Sequence, residues 1–340
     1  MSISVVFLGQ NHRLLRAVSG ISDTAFAPDA DLRSRRILFA VAVDEAGPCP
    51  AYYAFLRRLR REPDCLAGST ACVVVDGTTE LYTKAAAQEL VLAANLAGCR
   101  FPGRPLVEAT GSLYNQHIQA RNLGLSWEQT YFARVQDLAR RLENYQPPRF
   151  RRPRVLVLHA SEQKRSNTLA LGRAVCRRLE DACDIREIQL LNGTVQDCRG
   201  CGYHACLHFA ENDACFYGGV ISEEVLPAIR EADLLLFLCP NYNDALSANL
   251  TALINRMTGL VMKQDMGSTG LAAVVVSGYS GGDLVARQLL GAMNLNRGCA
   301  LPPGFCLLQT AHDPGDAMAA DGIGTLVEQF ALRLRNELLA

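Results

Sequence analysis

Short uninterrupted apolar runs alternate with amphipathic stretches along most of this chain, and the two patterns predict different elements. In the second half, the continuous apolar run at 155–159 fits a strand buried on both faces of a parallel sheet, and further strands are expected at 185–190, 234–239, 271–277 and 305–309. Between the first two, residues 167–180 place Leu171, Val175 and Leu179 on one face of a helix. Further helices are expected at 222–231, 247–258, 283–295 and 323–338. Five strands with intervening helices describe a doubly wound α/β sheet.

The first half predicts strands at 3–8, 37–43, 71–77 and 106–110, and it echoes the second. The segment Ala71-Cys-Val-Val-Val-Asp-Gly77 aligns with Ala272-Ala-Val-Val-Val-Ser-Gly278 at an offset of 201. Gln88, Gly98, Cys99 and Pro102 align with Gln288, Gly298, Cys299 and Pro302 at an offset of 200. Ile37-Leu-Phe39 and Ala54-Phe-Leu56 align with Leu235-Leu-Phe237 and Ala252-Leu-Ile254 at 198. An ordered series with a slowly drifting offset points to an internal repeat. The copy is truncated: only 28 residues separate its first two strands, against a full loop, helix, strand and cysteine segment in the second half. Those pieces are expected to be missing, leaving residues 1–145 a degenerate α/β domain without a cofactor loop, and a built-in neighbour for the second.

Gln146-Pro147-Pro148-Arg149-Phe150-Arg151-Arg152-Pro153 divides the halves; its three prolines cannot continue a helix or join a sheet interior. Residues 154–340 then form the second domain. Hydrophobic residues make up 49% of the chain, enough for sizeable cores and against low-complexity disorder. The formal net charge is zero and the 31 arginines are scattered, so no nucleic-acid or anionic-membrane partner is indicated. The apolar runs are strand-sized and the first residues read as a strand, so a cytoplasmic protein is expected. In that compartment thirteen cysteines imply free thiols, a metal or a cluster rather than a disulfide framework.

Open α/β sheets bind ligands beyond the carboxyl ends of their strands. Three loops of the second half lie there. Ser161, Arg165, Ser166, Asn167 and Thr168 offer hydroxyls, an amide and a charge at a helix start, a setting for a phosphate; ordinary N-capping by Ser166 or Asn167 explains the same residues. Pro240, Asn241, Tyr242 and Asn243 follow the third strand and supply a plane and edge groups for a flat ring, or a simple turn. Gly278, Tyr279, Ser280, Gly281 and Gly282 follow the fourth, where glycines let backbone N–H groups come close.

The order of these loops resembles the NADPH-dependent FMN reductase family of flavodoxin-like proteins. That family carries Gly-Ser-Pro-Arg and then Ser/Gly-Asn-Thr after its first strand. Here Ser166-Asn167-Thr168 keeps the core while the Gly and Pro are absent. The family's Pro-x-Tyr, Ser-x-x-Leu and terminal Asp-Arg appear as Pro240-Asn241-Tyr242, Ser247-Ala248-Asn249-Leu250 and Asn255-Arg256, with Thr251 in place of the usual Lys. The resemblance covers residues 154–309. It implies a flavodoxin-like fold, FMN held by the residues named above, hydride transfer from NAD(P)H, an acceptor the residues do not identify, and a homo-oligomer. Hydride transfer needs proximity and stacking more than a protein acid or base, so no catalytic side chain is assigned. No Gly-x-Gly-x-x-Gly marks a separate nicotinamide fold.

Cys198, Cys201, Cys206 and Cys215 lie within eighteen residues. The iron–sulfur flavoproteins of this family use Cys-x2-Cys-x2-Cys and a fourth Cys; here the spacings widen to x4 and x8, and His204 stands where the third Cys would be. Four thiolates can hold a [4Fe-4S] cluster, Cys with His204 or His208 can bind zinc, and bare thiols are the third reading. His12, His117, His159 and His312 are expected in the core or in solvent. The alternatives to a reductase are an electron-transfer protein and a flavodoxin-like scaffold without FMN.

Overall fold

The computed structural model describes residues 2–22, 25–161, 166–211 and 215–340. The chain divides into two compact units, Met1–Gln146 and Pro147–Ala340.

The first unit contains β1 (Ile3–Leu8), β2 (Ala25–Phe26), β3 (Arg36–Asp44), β4 (Gly47–Pro48), β5 (Thr70–Gly77) and β6 (Leu106–Ala109). Its main path runs β2-β1-β3-β5-β6 with every neighbour parallel, while β4 folds back antiparallel on β3. Successive side chains alternate between the faces. Val5, Leu38 and Val74 meet Tyr131, Val135 and Leu138 of helix Trp127–Asn144 on one side. On the other, Phe39 contacts Phe55 of helix Pro50–Arg61, ring centroids 5.6 Å apart.

The expected loss between the first two strands is corrected here. The unit keeps a helix, His12–Val18, capped by Asn11, and the two-residue β2 paired with β1. A seven-residue helix makes too few turns for its apolar spacing to register, and a two-residue strand has no alternation to read.

The second unit contains β7 (Arg154–His159), β8 (Asp184–Gln189), β9 (Leu234–Pro240), β10 (Gly270–Ser277) and β11 (Cys306–Thr310), close to the expected strands. The parallel order is β11-β10-β9-β7-β8. Counted within the unit this is 2-1-3-4-5, the flavodoxin-like order, with its switch point between β7 and β9. The first unit's main path has the same order. Asp76 sits opposite Ala109 as Ser277 sits opposite Thr310, an offset of 201 for both residues of the pair. Asn95 and Asn294 each donate to the carbonyl of the cysteine in a Gly-Cys pair, Cys99 at 3.0 Å and Cys299 at 2.8 Å. The glycines, Gly98 and Gly298, have φ of 95° and 97°.

Residues after the proline pair are not free of the second unit. The Phe150 N–H donates to the Leu338 carbonyl, the Ala340 N–H donates to Phe150, and Arg152 pairs with Asp184. Helix Asn167–Arg177 lies against β9 through Gly172, where a Cβ would come within 2.5 Å of Leu238. This close approach sets the helix start at the carboxyl edge of the sheet. No helix among the described residues is long and apolar enough to cross a membrane.

Candidate functional site

The site grows from the ends of β7, β9, β10 and β11. Strand β7 ends on His159, which is 1% exposed. The Ser161 N–H donates to its Nδ1 at 3.2 Å, so the neutral ring carries its proton on Nε2, 3.3 Å from Glu187. Burial lowers the His159 pKa, with Glu187 opposing the shift. Arg173 pairs with that carboxylate and, with His159, holds Glu187 below the usual range. Buried Ser161 is further held by Gln189. Ser166 caps the following helix, its Oγ accepting from the Leu169 N–H at 3.2 Å and donating to Ser161 Oγ at 3.3 Å. Arg165 lies outside the described residues.

Asn167 is engaged differently from the expectation of a direct phosphate contact. Its Nδ2 donates to the Asp313 carbonyl at 2.8 Å, and its Oδ1 accepts from the Gly315 and Ala317 N–H groups at 2.9 and 3.3 Å. The side chain fastens the loop after β11 to the helix start. Asn167 also lines the cavity described below.

After β9, Tyr242 and Ala245 exchange backbone bonds across Asn243 and Asp244, whose φ values are 52° and 58°. Two adjacent left-handed residues make a type I′ turn. Asn241 ties this turn to the loop after β10, donating to Ser277 Oγ and the Ser280 carbonyl, both at 2.9 Å. Its Oδ1 is buried with no hydrogen-bond partner. Gly281 has φ 83°, and a Cβ there would stand 2.0 Å from the Asp244 carboxylate.

These loops enclose a cavity of about 420 Å³. Ser161, Ser166, Asn167 and Thr168 line one part, and Pro240, Asn241, Tyr242 and Gly278 line another. Asn243, Tyr279, Ser280, Gly281 and Gly282 are not on its wall; they belong to the adjoining turns after β9 and β10. Six wall positions were not among the expected site residues: Ala160, Asn192, Val276, Ala311, His312 and Pro314. His312 was expected in the core or in solvent. It is exposed, in keeping with that, and it also lines the cavity, its ring 4.9 Å from Tyr279 at 35°. The space beside Gly278 accommodates it, since a Cβ would lie 3.3 Å from His312 Nδ1. The loop after β11 carries none of the motifs read in the sequence, which is why it was missed. No carboxylate lines the cavity among the described residues.

The residues fit FMN. The volume suits a cofactor of that size. Hydroxyls, an amide and the unpaired N–H groups of a helix start suit a phosphate. The orphaned Asn241 Oδ1 awaits a donor such as a ring edge presents. The family model for NADPH-dependent FMN reductase matches this unit over residues 153–313. The second unit is a domain of that family. The chain is accordingly a flavin-dependent oxidoreductase. A search of curated proteins found no match. Among solved structures, this chain is similar to an NAD(P)H:quinone oxidoreductase from Methanothermobacter marburgensis, at 16% identity and TM-score 0.42, covering 54% of this chain and 96% of that one. It is also similar to a Trp repressor binding protein from Bacillus subtilis, at 14% identity and TM-score 0.37, covering 52% and 99%.

The reductase-family unit has a second pocket, of about 40 Å³, on whose wall Cys198, Cys201, Cys206 and Cys215 all lie. Burial and then the other three thiols push the Cys206 thiol up, a sign of their proximity. Among the described residues no three His, Cys, Asp or Glu side chains gather closely enough to hold a single metal ion. A four-iron cluster takes one thiolate at each of four separate irons, so its ligands surround a pocket rather than a point.

Proposed function

We propose that this protein binds FMN in the cavity at the carboxyl edge of β7, β9, β10 and β11 and uses it to carry electrons from NAD(P)H to an acceptor. The observation that carries the reading is the cavity itself: it joins a capped helix start to an unpaired amide oxygen, with no carboxylate on its described wall. Bound FMN supplies hydride acceptance at its ring. The chain's part is to hold and orient. Ser166 and the first turn of helix Asn167–Arg177 bind phosphate oxygens. Asn167 keeps the loop carrying His312 in place. Pro240 and Tyr242 give a surface for the ring, and Asn241 accepts a hydrogen bond at its edge. Tyr242 is 58% exposed at the open side, where a nicotinamide can approach.

The spectrum of purified protein under argon tests this. Flavin absorbance that is bleached by NADPH or NADH is the expected result. Colourless protein that takes up no added FMN would leave only the scaffold reading.

The four-cysteine pocket favours a second component, a [4Fe-4S] cluster that makes the chain an electron carrier between flavin and protein partners. Anaerobic protein reconstituted with iron and sulfide should then hold about four of each per chain. An iron-free product would return the segment to bare thiols.

A further inference from the structure

Arg256 is the last residue of helix Ala248–Arg256, and it is only 5% exposed. It lines the cysteine pocket, and its partners among the described residues are neutral. Nη1 donates to the Gln196 carbonyl at 3.2 Å; Nη2 donates to the Gly218 carbonyl at 2.7 Å and to Ser222 Oγ at 3.0 Å. Nε is buried without a partner. A guanidinium stays charged at any ordinary pH, and burying it without a counter-charge is costly. Carbonyls soften that cost but do not cancel the charge.

No carboxylate among the described residues makes a hydrogen bond or ion pair with it. Asp197, adjacent in sequence to a partner of Arg256, makes no direct bond to it: its Oδ1 accepts from the Cys198 N–H at 2.6 Å and from the Asn255 amide at 3.0 Å. No Asp or Glu among the described residues lines the pocket. The wall groups able to become anionic are the thiols and Tyr217. Thiols that ligate metal do so deprotonated, and four of them around a cluster leave it net negative.

We infer that Arg256 is the counter-charge of an anionic iron–thiolate centre in this pocket, a positioning residue that sets how readily the centre accepts an electron. The inference rests on the cluster reading given above. The hydrogen bonds show how the charge is tied to the ligands. Ser222 Oγ accepts from both Arg256 and the Cys215 N–H, the latter at 3.3 Å, while Asn255 reaches Cys198 through Asp197. One helix end therefore holds the first and the last of the four cysteines. The start of that helix holds the flavin side: Asn249 donates to Asn192 Oδ1 at 3.1 Å, and Asn192 lines the larger cavity.

The test uses the full chain, reconstituted anaerobically with iron and sulfide, as wild type, Arg256→Lys and Arg256→Met. Iron content and the centre's midpoint potential are measured by dye-mediated titration followed by electron paramagnetic resonance. Arg256→Lys keeps the charge and should keep the centre with a potential near wild type. Arg256→Met should either assemble the centre at a lower potential, because the added electron loses its nearby cation, or fail to assemble it where Lys succeeds. A Met variant whose centre has the wild-type potential would overturn the assignment. Loss of the centre in both variants would also overturn it, by showing that shape rather than charge matters. Iron-free wild-type protein would sink the cluster reading itself, and the role of Arg256 with it.

Discussion

The Arg13 guanidinium of the first unit grips both carboxylate oxygens of Asp76, at 2.9 and 3.0 Å. Asp76 is the next-to-last residue of β5 and is almost fully buried. The same guanidinium donates to the Gly77 and Thr110 carbonyls, at 2.9 and 3.0 Å, so one side chain ties together the ends of β5 and β6. Asn11, the cap of the first helix, adds a bond to Asp76 at 2.8 Å. In the second unit the register-equivalent residue is Ser277, and the neighbouring strand ends open onto the 420 Å³ cavity. Where the second unit offers hydroxyls and amides, the first has an internal ion pair.

One FMN per chain is therefore the expected stoichiometry. Protein saturated with FMN and freed of excess by gel filtration should show a flavin-to-protein ratio near one. A ratio near two would mean that the Arg13–Asp76 bridge does not close the first unit.

The bridge should also matter for stability. Asp76→Ala strips the counter-charge from a largely buried guanidinium and should destabilise the first unit by roughly 3 kcal/mol. Urea unfolding followed by circular dichroism measures it. FMN affinity in the second unit should be unchanged if the units unfold independently.

The strands and the flavodoxin-like character of the second unit were legible because buried parallel strands are written as unbroken apolar runs. The runs at 234–239 and 271–277 correspond to strands entirely buried but for the end of β9. The short elements of the first unit were not legible, since His12–Val18 shows only two turns of pattern. In the site, the loops after β7, β9 and β10 carried recognisable residue types. The loop after β11 did not, because Asn167 reaches it across 146 residues, a relation only the folded chain reveals. Arg256 was read as part of a motif; its lack of a carboxylate partner is a property of packing, invisible in one dimension.

His159 makes a pH prediction. Burial lowers its folded pKa beneath the unfolded value of about 6.5. The unfolded chain then binds the proton more readily, so this contribution to stability is complete above about pH 6.5 and is lost as pH falls toward the folded value. Protonation of Nδ1 would also end its acceptance of the Ser161 N–H. The second unit's unfolding midpoint should thus drop below about pH 6.5, and FMN should be released more readily over the same range. His159→Gln should flatten both dependences. Profiles identical in wild type and variant would remove His159 from the account.

Asn167 and Ser166 should separate by how they fail. Ser166→Ala removes a helix cap, worth about 1 kcal/mol of stability, together with a hydroxyl expected to meet phosphate. Asn167→Ala removes three hydrogen bonds to residues 313–317 and leaves the Gly315 and Ala317 N–H groups without an acceptor. Its effect passes through the loop bearing His312, so it should reach the ring as well as the phosphate. The double variant should weaken FMN binding by about 2–4 kcal/mol, the worth of two to four such bonds, some to a charged group. Riboflavin, which has the ring but no phosphate, distinguishes the two roles. Ser166→Ala should leave riboflavin binding nearly unchanged while weakening FMN; Asn167→Ala should weaken both. Fluorescence titration of each variant with each flavin makes the comparison, and an Asn167→Ala protein that loses FMN affinity alone would return that side chain to the phosphate site.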